Sequence, residues 1–387
     1  MKITSVKSSV LSYDLDEPLG YSQKYYTSRT AHIVEIEADE GLTGIGECFG
    51  PGPIALANKI IVERVLAPML VGMDPLDREV FWHNAYNGMR DHGQKGMPIQ
   101  ALSGIDIALW DLAGKIHDLP LYKLLGGAFR NRLEVYGYGM MLQQVPDLAD
   151  RFADESSAIM EMGFKSMKMK IGKGPDEDVK LVRAVRDSVG ADVKLMVDAN
   201  HAYTASEAVY LGRELENLGV YWFEEPVAPE DLAGYRDLCR TLDINISGGE
   251  AEYTRWGFRN LLEGRCVDIL QPETCALGGI SEYLKVRDMA HTHFIPVVNH
   301  VWGSAVCVAV NMHLLAAMPD LPGGAHPAQP MLEYDTTPNK FREDILLESL
   351  GILDQVKSNG GWVGLPSGPG LGIELDRKFM NRHKVKI

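Results

Sequence analysis

The 387-residue chain reads as an α/β barrel preceded by an α+β domain, on three observations. Between about residues 133 and 335, short apolar runs alternate with amphipathic segments of helical period, as in a parallel sheet covered on its outer face. Six or more such units in series point to a barrel. Ahead of them, alternating strands come first and three helical segments follow, which is the order of an α+β domain. Third, Asp198, Glu224 and Glu250 end three consecutive barrel runs at intervals of 26 residues. A strand, its turn, a helix and a return loop need about that length, since a βαβ unit takes roughly 30 residues.

The length suits two domains, one of them large. A hydrophobic fraction of 45 % is ordinary for a globular protein with a full core. A formal charge of −15 argues against nucleic acid or an anionic membrane as partner, so an anionic substrate must be held by local cations. Cys48, Cys239, Cys266, Cys275 and Cys307 form no CxxC pair and are odd in number, which indicates neither a disulfide framework nor a thiolate zinc site. Met1 to Val6 alternates like a strand and lacks the apolar core of a signal peptide. The apolar run from Ser304 to Met318 is interrupted by Asn311 and His313 and is too short to span a membrane. A cytoplasmic protein is expected.

In chain order, residues 2–13 and 31–39 alternate as half-buried antiparallel strands do. The polar and aromatic stretch 18–29 has no period and is expected to be a lid, with the Gly-rich turn 46–53 as its companion. Helical segments follow at 54–70, 76–90 and 98–117, the last apolar on more than one face and so packed on both sides. The first domain is taken as 1–127, ending at Gly126-Gly127, and the barrel as 128–340. Barrel strands are expected at 164–171, 193–198, 220–225, 244–249, 267–272, 295–300 and 331–334. Residues 341–387, with a Gly-Pro-rich stretch at 360–373, are expected to return to the first domain.

Three carboxylates at one height on a barrel rim repel one another unless a cation sits among them. Oxygen-only ligation favours a hard divalent ion, Mg²⁺ first. The same period continues to Glu273 and then His300, each ending a strand. Before the acids, Lys168 and Lys170 share one face of a strand, because side chains alternate with period two. Mg²⁺ on a substrate carboxylate can stabilise the enolate left when the α-proton departs. A lysine beside a metal and a second ammonium is expected to lose its proton more easily. His300 can act from the other side, with a carboxylate one strand back fixing its tautomer.

Lys168-Met169-Lys170, Asp198 in Val-Asp-Ala-Asn, Glu224 in Trp-Phe-Glu-Glu-Pro, Glu250 in Gly-Gly-Glu and His300 together resemble the mandelate racemase subgroup of the enolase superfamily. The resemblance covers essentially the whole chain. It implies a modified TIM barrel, (β/α)7β, under an N-terminal α+β capping domain completed by the C-terminal segment. It implies Mg²⁺ on Asp198, Glu224 and Glu250, Lys170 as one acid/base with Lys168 as its neighbour, and His300 as the other. Glu333 is implied as a possible donor to the substrate carboxylate, and a homo-oligomer is expected. One position departs: Glu273 stands where the subgroup pairs its histidine with Asp.

Within the subgroup, Arg90 to Gln94, Asn200 to Thr204 and His300 to Gly303 look like those of acid-sugar enzymes. A polyol needs many donors and acceptors, so Asn200, Lys24, Tyr25, Arg29, Arg90 and His92 are candidate substrate contacts. The substrate class is a small carboxylate, a sugar acid or its lactone. Cycloisomerase, dehydratase and racemase outcomes share the same metal and bases; the resemblance favours β-elimination, and the cycloisomerase within it. A catalytically silent metal-binding barrel is the rival reading.

Overall fold

The computed structural model describes residues 1–321, 323 and 330–386; residues 322, 324–329 and 387, within the expected barrel and C-terminal units, lie outside it. Strands β1 (Ile3–Tyr21) and β2 (Lys24–Ala38) form one long antiparallel hairpin, and β3 (Thr43–Cys48) pairs with β2. The 18–29 stretch is therefore no aperiodic loop but the far end of the hairpin, turning at Ser22-Gln23. A register shift between Asp14 and Leu19 breaks the strand period, which is why the sequence pattern misses it. Residues 31–36 are buried on both faces, not one. Val34 and Ile36 join the core under the capping helices, while Ala31 and Ile33 join the core shared with the barrel.

The helices of this domain are α1 (Pro53–Ile61), a π-helical turn at Val62–Leu66, α2 (Ala67–Leu70), α3 (Arg78–Met89), α4 (Met97–Ile116) and α5 (Leu121–Leu124). The 46–53 stretch, expected to be a turn, begins inside β3. Gly46 serves packing, as does Gly44 before it: a Cβ on Gly46 would overlap the Gly104 carbonyl oxygen, and one on Gly44 that of Ala108, so α4 lies directly on the strand backbone. Backbone cannot swing aside as a side chain can. Gly46→Ala is expected to cost about 3 kcal/mol, read as a lower urea midpoint; an unchanged midpoint contradicts this packing.

Barrel units follow in series: β4 (Arg132–Tyr138), α6 (Leu148–Glu161), β5 (Ser166–Lys170), α7 (Pro175–Val189), β6 (Lys194–Asp198) and α8 (Ala205–Asn217). Next are β7 (Trp222–Glu224), α9 (Leu232–Thr241), β8 (Asn245–Gly248), α10 (Thr254–Gly264), β9 (Ile269–Leu270) and α11 (Gly279–Thr292). Last come α12 (Ala305–Ala316) and β10 (Met331–Asp335). Neighbouring strands pair in parallel from β4 to β9, and β10 returns to lie beside β4. The remaining position belongs to residues 297–300, which touch β9 and the chain just after it through two parallel bridges, Leu270 with Val297 and Glu273 with His300. Tyr136, Met196, Trp222, Ile269, Val298 and Met331 form one buried cluster. Side chains from six strand positions meet this way inside a closed ring, so the architecture is the (β/α)7β barrel.

The chain ends with α13 (Lys340–Glu343), α14 (Ile352–Ser358), β11 (Trp362–Gly364) and α15 (Arg377–His383). β11 pairs antiparallel with the start of β4, a barrel contact the sequence reading did not include. Beyond it Leu371 N–H donates to Asp111 of α4 at 2.7 Å, and Val385 N–H to Val10 of β1 at 2.9 Å. Among the described residues no helix is long and apolar enough to cross a membrane, and the five cysteines are free.

Candidate active site

The parallel register aligns Lys170 with Asp198, Asp198 with Glu224, and Glu224 with Ser247. Two of the three spaced acids are thus strand neighbours. The third is not in that row: Glu250 lies past the end of β8, beyond Gly249 at φ +129°, and reaches the cluster from the turn. Equal spacing singles out Glu250, but a turn and not a strand end carries it. Even so, one carboxylate oxygen from each of Asp198, Glu224 and Glu250 lies within 4.8 Å of the others.

Each acid faces one cationic group. Lys170 Nζ is ion-paired with Asp198 Oδ2. Lys168 Nζ is 2.7 Å from Glu224 Oε1 and 2.7 Å from Glu333 Oε1. His300 Nε2 is 3.1 Å from Glu250 Oε2, but not aligned as a hydrogen bond. Trp222 Nε1 (3.0 Å) and Gln271 Nε2 (2.6 Å) donate to Glu224 Oε2. The Tyr138 ring lies below both ammonium groups, at 4.9 and 5.0 Å.

Protonation follows from these pairings. Burial opposes the charge on both lysines, yet Glu224 and Glu333 outweigh it at Lys168, and Asp198 and Glu250 at Lys170, so both stay above the ordinary range. Lys168 does lower Lys170, as one ammonium beside another should, but the neighbouring acids outweigh it. Burial pushes the Glu224 carboxyl up to about 8. Burial also raises Asp198, but Lys170 and Lys168 outweigh it and hold that carboxyl below the usual range.

His300 Nδ1 is 2.7 Å from Glu273 Oε2, whose other oxygen accepts from Cys275 N–H at 2.8 Å. The longer glutamate therefore reaches the imidazole. Burial lowers His300, but Glu250 and Glu273 outweigh it and push it up to about 9. Glu333 accepts from Val301 N–H at 2.8 Å. Burial raises its carboxyl, but Lys168 and His300 hold it below the usual range.

Asn200 sits at φ +42° just beyond β6, and its Nδ2 is 3.4 Å from Glu225 Oε2 and from Glu250 Oε1. Its Oδ1 is buried without a partner. The hairpin tip rests on this loop: Ser22 Oγ donates to the Asn200 carbonyl at 2.7 Å, and Gln23 Nε2 at 3.0 Å. Facing residues on paired strands share a side, so Tyr21 and Lys24 lie together with Leu19 and Tyr26, whereas Tyr25 lies opposite, its ring against Gly20. Tyr26, which the sequence reading passed over, packs edge-on against Trp302 at 6.2 Å, and Lys24 is exposed.

Arg29 is not free to meet a substrate: it is buried, paired with Asp335 at 3.0 Å and stacked on Trp302 at 4.5 Å, which ties the hairpin to the end of β10. Arg90 and His92 are exposed after α3, with Arg90 on Asn87 (2.7 Å) and over Tyr86. Neither has a polar contact to the acid cluster. A cavity of about 520 Å³ at the Asp14–Leu19 bulge, lined by Leu19 and Met141 among others, does not include Asp198, Glu224 or Glu250. Sequence reasoning also missed Trp222 and Gln271. Gln271 sits two before Glu273, on the same side by period two, which was a usable signal.

An α/β barrel under an α+β cap, with acids, paired lysines and a carboxylate-linked histidine gathered at the strand ends, defines a proton-transfer scaffold of the enolase type. The chain belongs to the mandelate racemase/muconate lactonizing enzyme family: residues 7–126 match its N-terminal domain and residues 151–379 the enolase C-terminal domain-like family. It is 40 % identical over 388 residues to the D-galactarolactone cycloisomerase of Agrobacterium fabrum, covering 100 % of this chain and 99 % of that one. The crystal structure of the 3,6-anhydro-D-galactonate cycloisomerase from Zobellia galactanivorans is 35 % identical, with a TM-score of 0.86 over 100 % of both chains. That of L-talarate/galactarate dehydratase from Salmonella typhimurium LT2, liganded with Mg and L-lyxarohydroxamate, is 28 % identical, with a TM-score of 0.87 over 100 % of this chain and 93 % of that one.

Proposed function

We propose that the chain is a divalent-cation-dependent enzyme, with Mg²⁺ as the ion, that removes the proton α to the carboxylate of a sugar acid or its lactone. The observation that carries the reading is the pairing of each acid with its own cation: Asp198 with Lys170, Glu224 with Lys168, Glu250 with His300. Proton-transfer groups thereby stand on both flanks of one oxygen cluster.

The donor set fits a hard ion. It is all oxygen, and Glu250 Oε2 is buried without a hydrogen-bond partner. Asp198, Glu224 and Glu250 would hold the ion, which supplies charge to offset that building on the substrate carboxylate. The acids hold Lys170 and His300 protonated, and a divalent charge among those acids would offset that hold, so that the neutral form of one of the two takes the α-proton, according to which face carries it. Glu273 keeps the imidazole in the tautomer whose Nε2 faces the site. The group on the opposite flank protonates a departing β-oxygen. Where that oxygen closes a lactone ring, the ring opens and the enzyme is a cycloisomerase. The A. fabrum and Z. galactanivorans likenesses support this outcome, on an aldarolactone such as galactarolactone. A hydroxyl leaving group instead gives a 2-keto-3-deoxy acid, a dehydratase outcome favoured by the S. typhimurium likeness.

Incubation with Mg²⁺ and aldarolactones or aldonates in D₂O tests the reading. A 2-keto product, or a ring-opened product carrying deuterium next to the keto carbon, is expected. Deuterium confined to the α-carbon of recovered substrate would point to an epimerase. No exchange and no product across the set would overturn the enzyme reading in favour of a silent barrel.

A further inference from the structure

We infer that Glu47, on the capping domain, is a positioning residue for the His300–Glu273 pair, so that the histidine flank is ordered only when cap and barrel are docked. The inference rests on the function proposed above. Glu47 lies on β3 and is buried, yet all its partners belong to the barrel. Its Oε1 accepts from Ser304 N–H at 2.9 Å, and its Oε2 from Ser304 Oγ at 2.6 Å and Cys307 N–H at 3.0 Å. Ser304 is the N-cap of α12, so a carboxylate from one domain takes orphan amides at a helix start of the other. Gly303 leaves the space: a Cβ there would come 3.0 Å from Glu47 Oε1.

The chain so anchored is the one leaving His300. Trp302 N–H, two residues before the cap, points at Glu273 Oε2 from 3.4 Å. Two residues beyond Glu47, Phe49 N–H donates to the Cys275 carbonyl at 2.8 Å, and the Phe49 ring stands edge-on to the His300 imidazole at 6.1 Å. The end of β3 therefore grips both segments that hold the pair, 273–275 and 300–304. The lysine flank is held otherwise: Asp178 accepts from Gly172 and Lys173 N–H at 2.8 and 3.0 Å, within the barrel. Loss of Glu47 should consequently disturb one flank and spare the other.

Glu47→Gln is the direct test, because the amide keeps the shape but turns a donor toward an amide N–H. In D₂O with Mg²⁺ and substrates of opposite α-configuration, exchange at the His300 face should slow about 10- to 100-fold, the scale set by misplacing a reacting group, while the Lys170 face is unchanged. Equal loss at both faces, or none, would overturn the inference. Should that variant not fold, Ser304→Ala, which removes the 2.6 Å bond to Glu47 together with the 3.1 Å cap bond from Val306 N–H, is read the same way with a smaller loss. If the wild-type chain exchanges at neither face, the proposed function fails on its own. The inference is then read from the downfield Nδ1–H proton resonance of His300, assigned by its loss in His300→Asn. A shifted or broadened signal in Glu47→Gln supports positioning, and an unchanged one refutes it.

Discussion

Lys170→Ala is expected to lower turnover of a substrate whose α-proton faces Lys170 by at least about 10³-fold, within the range of a positioned general base. Charge and proton transfer can be separated. Lys170→Arg keeps the positive charge beside Asp198, but a guanidinium does not deprotonate in proteins, so it should be as inactive as the alanine variant. The alanine variant carries a second signature. Asp198 is fully buried and loses its ion pair, and breaking a buried pair from one side costs about 3 kcal/mol or more. Without divalent cation its melting temperature should fall, and saturating Mg²⁺ should restore most of the loss, since the ion takes over the role of the ammonium. Full turnover in either variant would remove Lys170 from the chemistry. A melting temperature indifferent to Mg²⁺ would remove Asp198 from the ion site.

Glu250→Gln should weaken Mg²⁺ binding by at least about 100-fold by calorimetry, since loss even of a group that only orients a metal ligand costs 10- to 100-fold. Glu250 is the informative choice among the three acids. Glu224 is also held by Trp222, Gln271 and Lys168, so replacing it disturbs the packing of the barrel interior. Glu250 reaches in from a turn and its Oε2 has no hydrogen bond, so the substitution leaves the barrel interior packed and removes a ligand together with the charge facing His300. Turnover should fall with the bound ion, and chelation of the wild-type enzyme should reproduce the effect reversibly. Undiminished Mg²⁺ affinity in this variant would mean that the ion lies elsewhere.

The clustering of candidate site residues was legible in the chain wherever a residue sits at a strand end, because strand–helix units of nearly constant length carry such residues to one rim. Asp198 and Glu224 were singled out this way, Lys168 and Lys170 by strand alternation, and the structure pairs them. Glu250 was found by the same count although its strand is out of step with it. Substrate contacts were far less legible. Arg29 looks like a free cation in a polar stretch, and only folding shows Asp335 and Trp302 around it. Tyr25 and Tyr26 are adjacent in sequence, and the hairpin register alone decides which of them joins Trp302.

What the sequence by itself determined is the order of units, the barrel and the identity of its rim residues, since these follow from local periodicity and spacing. What only the tertiary structure decided is everything set by contacts distant along the chain. Gly46, which reads as part of a turn, belongs to a strand pressed flat against α4. An aperiodic lid is a bulged hairpin seated on the Asn200 loop. Protonation belongs to this second group too. A carboxylate or ammonium takes its charge state from burial and from partners tens of residues away, and no spacing rule encodes those distances.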